Sequence, residues 1–304
     1  MGLVDSLITN PPDLVHESYL ALANLNPNLE KLNLQMCGQL TTDTLISWGK
    51  SLKHLKSIEL NGPFLARKEG WISFLKARGK KLEEFRITQS PRIDLEVIET
   101  MVASCPNLKS LALAEIGQMD SEFLESIAKL TRLESLSISS PGTPISDEAV
   151  ITLLEAIGEN LTALDLSENS ELGDEILPAI AKFCPKLQHL GLRNVKLSDV
   201  AIKSYFETLS ASKRPGFLSL DLEKGHDLSG ASLRALIAHS GHTIENLSLV
   251  GWRNVDADAV SGLGACSQLR RLDLGWCRQV TDFTLKDIID GCNNIREIKV
   301  WGEC

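Results

Sequence analysis

Seven cysteines, six histidines and forty carboxylates are the residues of this chain that could do chemistry. A thiol or hydroxyl nucleophile needs a base within hydrogen-bond reach, and a zinc site needs ligands that converge in space. No two cysteines form a C-x-x-C pair, and His239 with His242 has neither a nearby cysteine nor a second ligand pair. No G-x-x-x-x-G-K-[ST], H-E-x-x-H or G-x-S-x-G occurs, and Gly262-Leu-Gly264 lacks the further glycine of a dinucleotide loop. The aspartates are more regular. Asp43, Asp147, Asp174, Asp199 and Asp282 each stand at the start of a segment with apolar residues three and four apart. Read one at a time they look like general acids or bases. Their recurrence predicts helix N-caps, whose carboxylates accept the orphan N–H groups of a first turn. The expectation is therefore a chain with no catalytic residues, no metal and no cofactor.

The cysteines recur too. Cys105, Cys184, Cys266 and Cys292 lie three residues before an apolar hexad, and Cys37 and Cys277 three residues after one. That register distributes the thiols over different layers of structure, which predicts small packing residues rather than metal ligands. Cys304 stands outside the pattern. An odd count without C-x-x-C pairs points to reduced thiols and a nuclear or cytoplasmic setting.

The elements that position all of these residues form one repeat. A Leu-x-x-Leu-x-Leu pattern, with Ile, Phe or Val allowed, begins at Leu29, Leu55, Leu82, Leu108, Leu133, Leu161, Leu187, Phe217, Ile244, Leu269 and Ile295. Successive starts are 25 to 30 residues apart, the period of a leucine-rich repeat. The hexad reads as a strand, Leu32 and Leu34 inward and Lys31 and Asn33 outward, and each is followed by a helical series such as Leu285, Ile288 and Ile289. The predicted fold is α/β: a leucine-rich repeat solenoid, or horseshoe, with parallel strands on the concave face and helices on the convex face. Residues 1–28 read as an N-terminal partial repeat or cap, with Leu3 to Ile8 a degenerate strand and Asp13 to Leu25 a helical half-repeat. Residues 29–304 read as one domain of about eleven repeats. The longest step, from Leu187 to Phe217, contains Ser210-Ala-Ser-Lys-Arg-Pro-Gly216, a loop by composition. The last repeat reaches Trp301-Gly-Glu-Cys304 without a helix, so its cap is expected from further chain or from a partner.

The formal net charge of -9 and a pI near 5.3 argue against autonomous nucleic-acid binding. The apolar stretches are too short for a membrane helix, and Met1 to Asn10, with Asp5 and no basic residue, does not read as a signal peptide. Lys76, Arg78, Lys80 and Lys81 form the densest basic run, at the predicted C-terminal end of a helix where cations complement the dipole.

Such solenoids present surfaces to partners. The outward strand rows are small in the middle of the chain (Ser110, Ala112, Ala114; Ser135, Ser137, Ser139) and mix both charges toward the C-terminus. Trp252 shares the register of Cys37 and Cys277 and is expected in the core. Trp276 and Trp301 are off that register and are expected at the surface, where Trp and Arg favour interaction hot spots. The candidate partner-binding residues are His189, Arg193, Arg253, Arg271, Asp273, Trp276 and Trp301.

The phrase Leu269-Arg-Arg-Leu-Asp-Leu-Gly-Trp-Cys-Arg-Gln-Val-Thr-Asp282, with Cys184-Pro-Lys-Leu187, resembles the cysteine-containing leucine-rich repeats common in F-box substrate receptors of ubiquitin ligases. Leu233-Arg-Ala-Leu-Ile-Ala-His-Ser-Gly241 with Ile244 to Leu249, Asn28 to Leu34 with Gly38-Gln-Leu40, and Trp71 to Phe85 look more narrowly like the fungal radiation-sensitivity repeat family of global-genome nucleotide excision repair. That resemblance implies a nuclear, non-enzymatic protein-binding scaffold for DNA repair. It also implies as partners a helicase-like ATPase and an elongin C–cullin ubiquitin ligase complex, with damaged DNA reached through those partners. The 28 residues before the first clear repeat are too few for that family's cysteine-rich zinc region and adaptor-docking box, so the resemblance covers the repeat arm. The alternatives are an F-box-type substrate receptor of a cullin–RING ligase and, resting on Arg193 alone, a GTPase-activating repeat protein.

Overall fold

A computed structural model of the chain describes residues 15–302. The proposed strand at Leu3 to Ile8, Asp13 and Cys304 lie outside the described residues. The chain falls into two compact units, one ending at Pro144 and the other beginning at Ile145.

The first unit alternates α1 (His16–Leu25), β1 (Lys31–Leu34), α2 (Thr42–Ser51), β2 (Ser57–Asn61), α3 (Lys68–Arg78), β3 (Glu84–Thr88), α4 (Leu95–Ser104), β4 (Ser110–Ala114), α5 (Ser121–Ile127) and β5 (Ser135–Ser139). The second alternates α6 (Asp147–Ile157), β6 (Ala163–Asp165), α7 (Ile176–Phe183), β7 (His189–Gly191), α8 (Asp199–Ala211), β8 (Ser219–Asp221), α9 (Gly230–Ser240), β9 (Asn246–Ser248), α10 (Ala257–Ser261), β10 (Arg271–Asp273), α11 (Asp282–Gly291) and β11 (Glu297–Lys299). In both units the strands pair in parallel and in chain order, so the chain is the α/β leucine-rich repeat solenoid its period predicts.

Register follows the hexad. Ile58, Phe85, Leu111 and Leu136 sit on adjacent rungs of the first unit, and Leu164, Leu190, Leu220, Leu247 and Leu272 on adjacent rungs of the second. All of these are essentially inaccessible, and Leu32 and Leu34 are buried while Lys31 is exposed, as the alternation requires. A single strand buries nothing on its own; the stack converts one leucine row per repeat into a continuous core. Trp48 and Trp252 are fully buried, and each indole N–H donates to a carbonyl of the preceding repeat, Tyr19 O and Leu222 O, both at 2.8 Å. Trp252 is thus the core residue its register predicts.

One residue per repeat turns the chain off the sheet in the left-handed region. Met36, Gln89, Glu115 and Ser140 do so in the first unit and Glu168, Asn194, Lys224 and Trp276 in the second, with φ between 48° and 62°, joined by Gly62, Gly251 and Gly302. A non-glycine residue there costs on the order of 1 kcal/mol. The turn is held because the backbone N–H at this position reaches the next repeat: Glu168 N–H donates to Arg193 O at 2.7 Å, Lys224 N–H to Val250 O at 2.6 Å and Trp276 N–H to Trp301 O at 2.7 Å.

The recurring aspartates correct the cap assignment. The residues whose side chains cap α2, α6, α8 and α11 are Thr41, Ser146, Ser198 and Thr281; Asp147, Asp199 and Asp282 are the first helical residues, Asp43 is the second, and Asp174 precedes the N-terminus of α7. The cap must still be extended while its oxygen folds back on the third amide, and in these repeats the hydroxyl residue does that. True aspartate caps stand at Asp94, Asp120 and Asp256. Three of the recurring aspartates instead join repeats. Asp147 accepts from Gly173 N–H at 2.9 Å. Asp174 accepts from the N–H and hydroxyl of Ser198 at 2.7 and 2.6 Å. Asp199 accepts from the N–H and hydroxyl of Ser229 at 2.7 and 2.8 Å and from the hydroxyl of Ser232 at 2.5 Å.

The segment read as a loop from Ser210 is helical through Ala211, because α8 is the longest helix described, at 13 residues. The extra length of that repeat is mostly helix. Lys76 and Arg78 occupy the last turn of α3, and Lys80 and Lys81 the short 3-10 turn after it. Cys37, Cys105, Cys184, Cys266 and Cys292 are buried free thiols, and burial pushes those of Cys105, Cys184 and Cys266 up to about 12.

Candidate functional site

The candidate residues all fall in the second unit, on or beside its outward strand rows. The middle row runs Asp165, Gly191, Asp221, Ser248, Asp273 and Lys299, each paired with the next in register. In each Leu-Asp-Leu repeat the aspartate folds back on its own chain. Asp165 Oδ1 accepts from Ser167 N–H, Asp221 Oδ1 from Glu223 N–H and Asp273 Oδ1 from Gly275 N–H, at 3.0, 3.1 and 3.0 Å. A side chain that takes the i+2 amide competes with ladder pairing. The strands of this unit are three residues long, the aspartate-free β7, β9 and β11 included, whereas β2 to β5 run for five.

Arg271 and Asp273 line a shallow groove of about 220 Å³ with Asp221, Glu223, Glu297 and Lys299. Glu297 lies 3.8 Å from Arg271 Nε and 3.3 Å from Lys299 Nζ. Asp221 is pushed up to about 6, first by burial and further by the carboxylates of Glu223 and Asp165, against the Glu223 amide and the Arg193 guanidinium.

Trp276 and Trp301 are 40% and 49% exposed, at the surface as expected, and meet edge to face with ring centroids 6.0 Å apart. Trp301 donates its indole N–H to Asp273 Oδ1 at 3.2 Å, which ties the pair to the groove. Two glycines make room for it. A Cβ on Gly275 would fall 2.6 Å from Trp301 Nε1, and one on Gly302 2.8 Å from the Trp276 ring, at a φ of +110°.

Arg193 stands in a second cluster. Its Nε is 3.1 Å from Glu168 Oε1, and its Nη1 is 3.9 Å from Glu223. Glu168 also takes Lys224 Nζ at 3.0 Å and Asn194 Nδ2 at 2.7 Å. Burial alone would raise the Glu168 carboxyl; Lys224, Asn194 and Arg193 outweigh it and hold it below its ordinary value. Glu223 links the two clusters through Ser248, whose hydroxyl donates to it at 2.7 Å. His189 is exposed at the first position of β7, in register with Ala163 and Ser219. Arg253 is exposed in the turn after β9, and no hydrogen bond or ion pair joins it to the other candidates among the described residues.

The structure thus brings together Arg271, Asp273, Trp301 and Trp276, and separately Arg193 with Glu168 and Glu223. Sequence reasoning missed Glu168, Asn194 and Lys224. Their signal is positional: each occupies the left-handed turn residue of its repeat, as Trp276 does. Among the described residues no three His, Cys, Asp or Glu side chains are placed to hold a metal ion. His239 is a core imidazole whose Nδ1 is 2.8 Å from Ser240 Oγ and whose ring packs 5.8 Å from that of Phe217. No described helix is long and apolar enough to cross a membrane.

No family model matches the sequence. It is 33% identical over 292 residues to the DNA repair protein rhp7 of Schizosaccharomyces pombe, an alignment covering 94% of this chain and 51% of rhp7. It is 28% identical over 294 residues to the DNA repair protein RAD7 of Saccharomyces cerevisiae, covering 94% of this chain and 52% of RAD7. A chain of the crystal structure of the yeast Rad7 and Elc1 complex superposes with a TM-score of 0.85 at 26% identity, over 97% of this chain and 75% of that one. The chain spans about half the length of the curated relatives it matches. Along nearly its whole length, this leucine-rich repeat chain is a homologue of the rhp7 and RAD7 DNA repair proteins.

Proposed function

We propose that the chain is the repeat arm of a nuclear, non-enzymatic scaffold of nucleotide excision repair. In this reading it binds a helicase-like repair ATPase, joins an elongin C–cullin ubiquitin ligase complex and meets damaged DNA through these partners. The observation that carries the reading is the 94% coverage of this chain by two DNA repair proteins, in a fold shared with the Rad7 chain of the Rad7–Elc1 complex. The chemistry agrees with it. A net charge of -9 suits a protein that docks on proteins better than one that grips the DNA backbone unaided.

Within that reading the partner-facing surface is the outward strand side of the second unit. Trp276 and Trp301 serve as aromatic anchors, Arg271 and Asp273 as the adjoining polar contacts, and Arg193, His189 and Arg253 as the flanks. A large, half-exposed aromatic pair beside an exposed Arg is the composition that binding energy concentrates on.

The test is co-purification with recombinant Elc1 and with a nuclear extract, comparing the wild type and an R271A/W276A double variant whose fold is checked by circular dichroism. Capture of a helicase-like repair ATPase, lost in the folded double variant, is the expected result. Capture of cullin adaptors and client proteins without that ATPase replaces the repair reading with an F-box-type substrate receptor. Retention of the ATPase by the double variant moves the contact to another face.

A further inference from the structure

A cavity of the second unit lies on the helix side, away from the strand rows, between α7 and α8. It measures about 500 Å³, within the range of small-ligand sites. Its origin is in the sequence. α8 turns Ala201, Ser204, Tyr205 and Thr208 toward α7, and apart from Tyr205 these side chains are too small to fill the space between the helices. α7 meets them with Leu177, Pro178 and Ala181.

Empty space between helices is not by itself a site. Two polar groups make this one more than a packing gap. Tyr205 lines the cavity yet is only 5% exposed, and its hydroxyl has no hydrogen-bond partner among the described residues. The Tyr205 ring cannot swing away to find a partner, since it packs at 5.3 Å against Phe206 and at 6.5 Å against Phe217. Burial raises the phenol's proton affinity, the neighbouring Cys184 thiol adds to that, and the Arg214 guanidinium opposes it, so the hydroxyl is a neutral donor beside a fixed cation. Arg214, half-buried on the cavity wall, spends one terminal N–H on Ala181 O at 3.2 Å and keeps further donors for a ligand. The lining also carries Asp174, Glu175 and Lys182.

We propose that this cavity is a binding site for a small monocarboxylate with a slender apolar body. The carboxylate accepts from Tyr205 Oη and Arg214, and the apolar body lies against Leu177, Pro178, Ala181 and Ala201. The site does not depend on the repair reading, whose partner-facing surface lies on the strand side.

The chain contains two tyrosines, Tyr19 and Tyr205, so 3-fluorotyrosine labelling gives two ¹⁹F resonances. Tyr19, buried beside Trp48 in the first unit, is the internal control. Titration at neutral pH with sodium hexanoate should move the Tyr205 signal saturably and leave Tyr19 in place. Hexan-1-ol should bind about tenfold more weakly, the loss of one charge-assisted hydrogen bond. Arg214→Gln, which removes the cation, and Ala201→Leu, which fills the cavity, should each weaken hexanoate by a similar factor in a protein with unchanged circular dichroism. Absence of a saturable Tyr205 shift in the wild type overturns the proposal, as does equal binding of hexan-1-ol. Tighter binding of the peptide acetyl-Leu-Glu-Leu-amide than of hexanoate also overturns it, in favour of a peptide site.

Discussion

Asp147, Asp174 and Asp199 form a graded series in which the same substitution should cost different amounts. Asp147 takes one hydrogen bond from the next repeat, Asp174 takes two, and Asp199 takes three, two from Ser229 and one from Ser232. Hydrogen bonds to a charged acceptor contribute about 1.5–3 kcal/mol each when shielded, and less where water competes. The Asp174 pair is exposed and the Asp199 set is part-buried, so bond count and shielding both favour Asp199. We expect Asp147→Ala to cost about 1 kcal/mol, Asp174→Ala slightly more, and Asp199→Ala about 3 kcal/mol, since it leaves the Ser229 amide and hydroxyl without their acceptor and the Ser232 hydroxyl with the Asp199 main-chain carbonyl alone. Burial would raise the Asp199 carboxyl, but the Ser232 and Ser229 bonds hold it below its ordinary value. A folded-state pKa below the unfolded one contributes stability above the unfolded value, about pH 4, that is lost as pH falls through the lowered value. The acid limb of the wild-type stability curve should therefore flatten in Asp199→Ala. Amide hydrogen exchange is the appropriate assay, because repeat arrays open locally and need not unfold in two states. The Ser229 amide should lose protection in Asp199→Ala, and the Ser198 and Gly173 amides in the other two variants. Equal destabilisation by Asp147→Ala and Asp199→Ala would refute the inference that these carboxylates join repeats.

Two further outcomes follow from the strand side. Asp221 is raised to about 6 by burial beside Glu223 and Asp165, so its ionised form costs stability above that pH, and the cost disappears as pH falls through 6 toward the unfolded value near 4. Asp221→Asn, whose amide oxygen can still accept from Glu223 N–H, should stabilise by about 1–2 kcal/mol at pH 8 after allowance for solvent screening, and by nearly nothing at pH 4; denaturant melts at both values check it. Gly275→Ala places a methyl against the Trp301 indole, so it should separate the Trp276–Trp301 pair, red-shift tryptophan emission and leave the far-ultraviolet circular dichroism intact.

Much of the fold was legible because one apolar hexad sets both strand register and core. The starts from Leu29 to Ile295 mark every described strand, and the alternation at Leu32 and Leu34 gives the buried face directly. The same register separated Trp252 from Trp276 and Trp301. The aspartates were misplaced by a residue or two for a physical reason. Ser-Asp and Thr-Asp steps offer two capping side chains in succession, and only backbone conformation decides which one folds back. The extent of α8 was hidden by Ser210, Ala211 and Ser212, a composition that suits a loop but also tolerates a helical C-terminus. The cluster around Glu168 was illegible for a different reason. Its members come from three repeats and are neighbours only because each sits at the same turn residue, which periodicity could have indexed had the turn been aligned as carefully as the strand.

That turn residue has an evolutionary consequence. It is fastened through its main chain, by an amide that crosses to the next repeat, and its side chain carries none of the core. The same position accommodates Gln89, Ser140, Glu168, Lys224, Trp276 or a glycine. The row is therefore a set of interchangeable keys on a fixed lock plate. Substitution there can rewrite the charge and shape that a partner reads while the layers beneath keep their register, provided the newcomer is not β-branched. A solenoid of this kind can change allegiance one side chain at a time without passing through an unfolded ancestor.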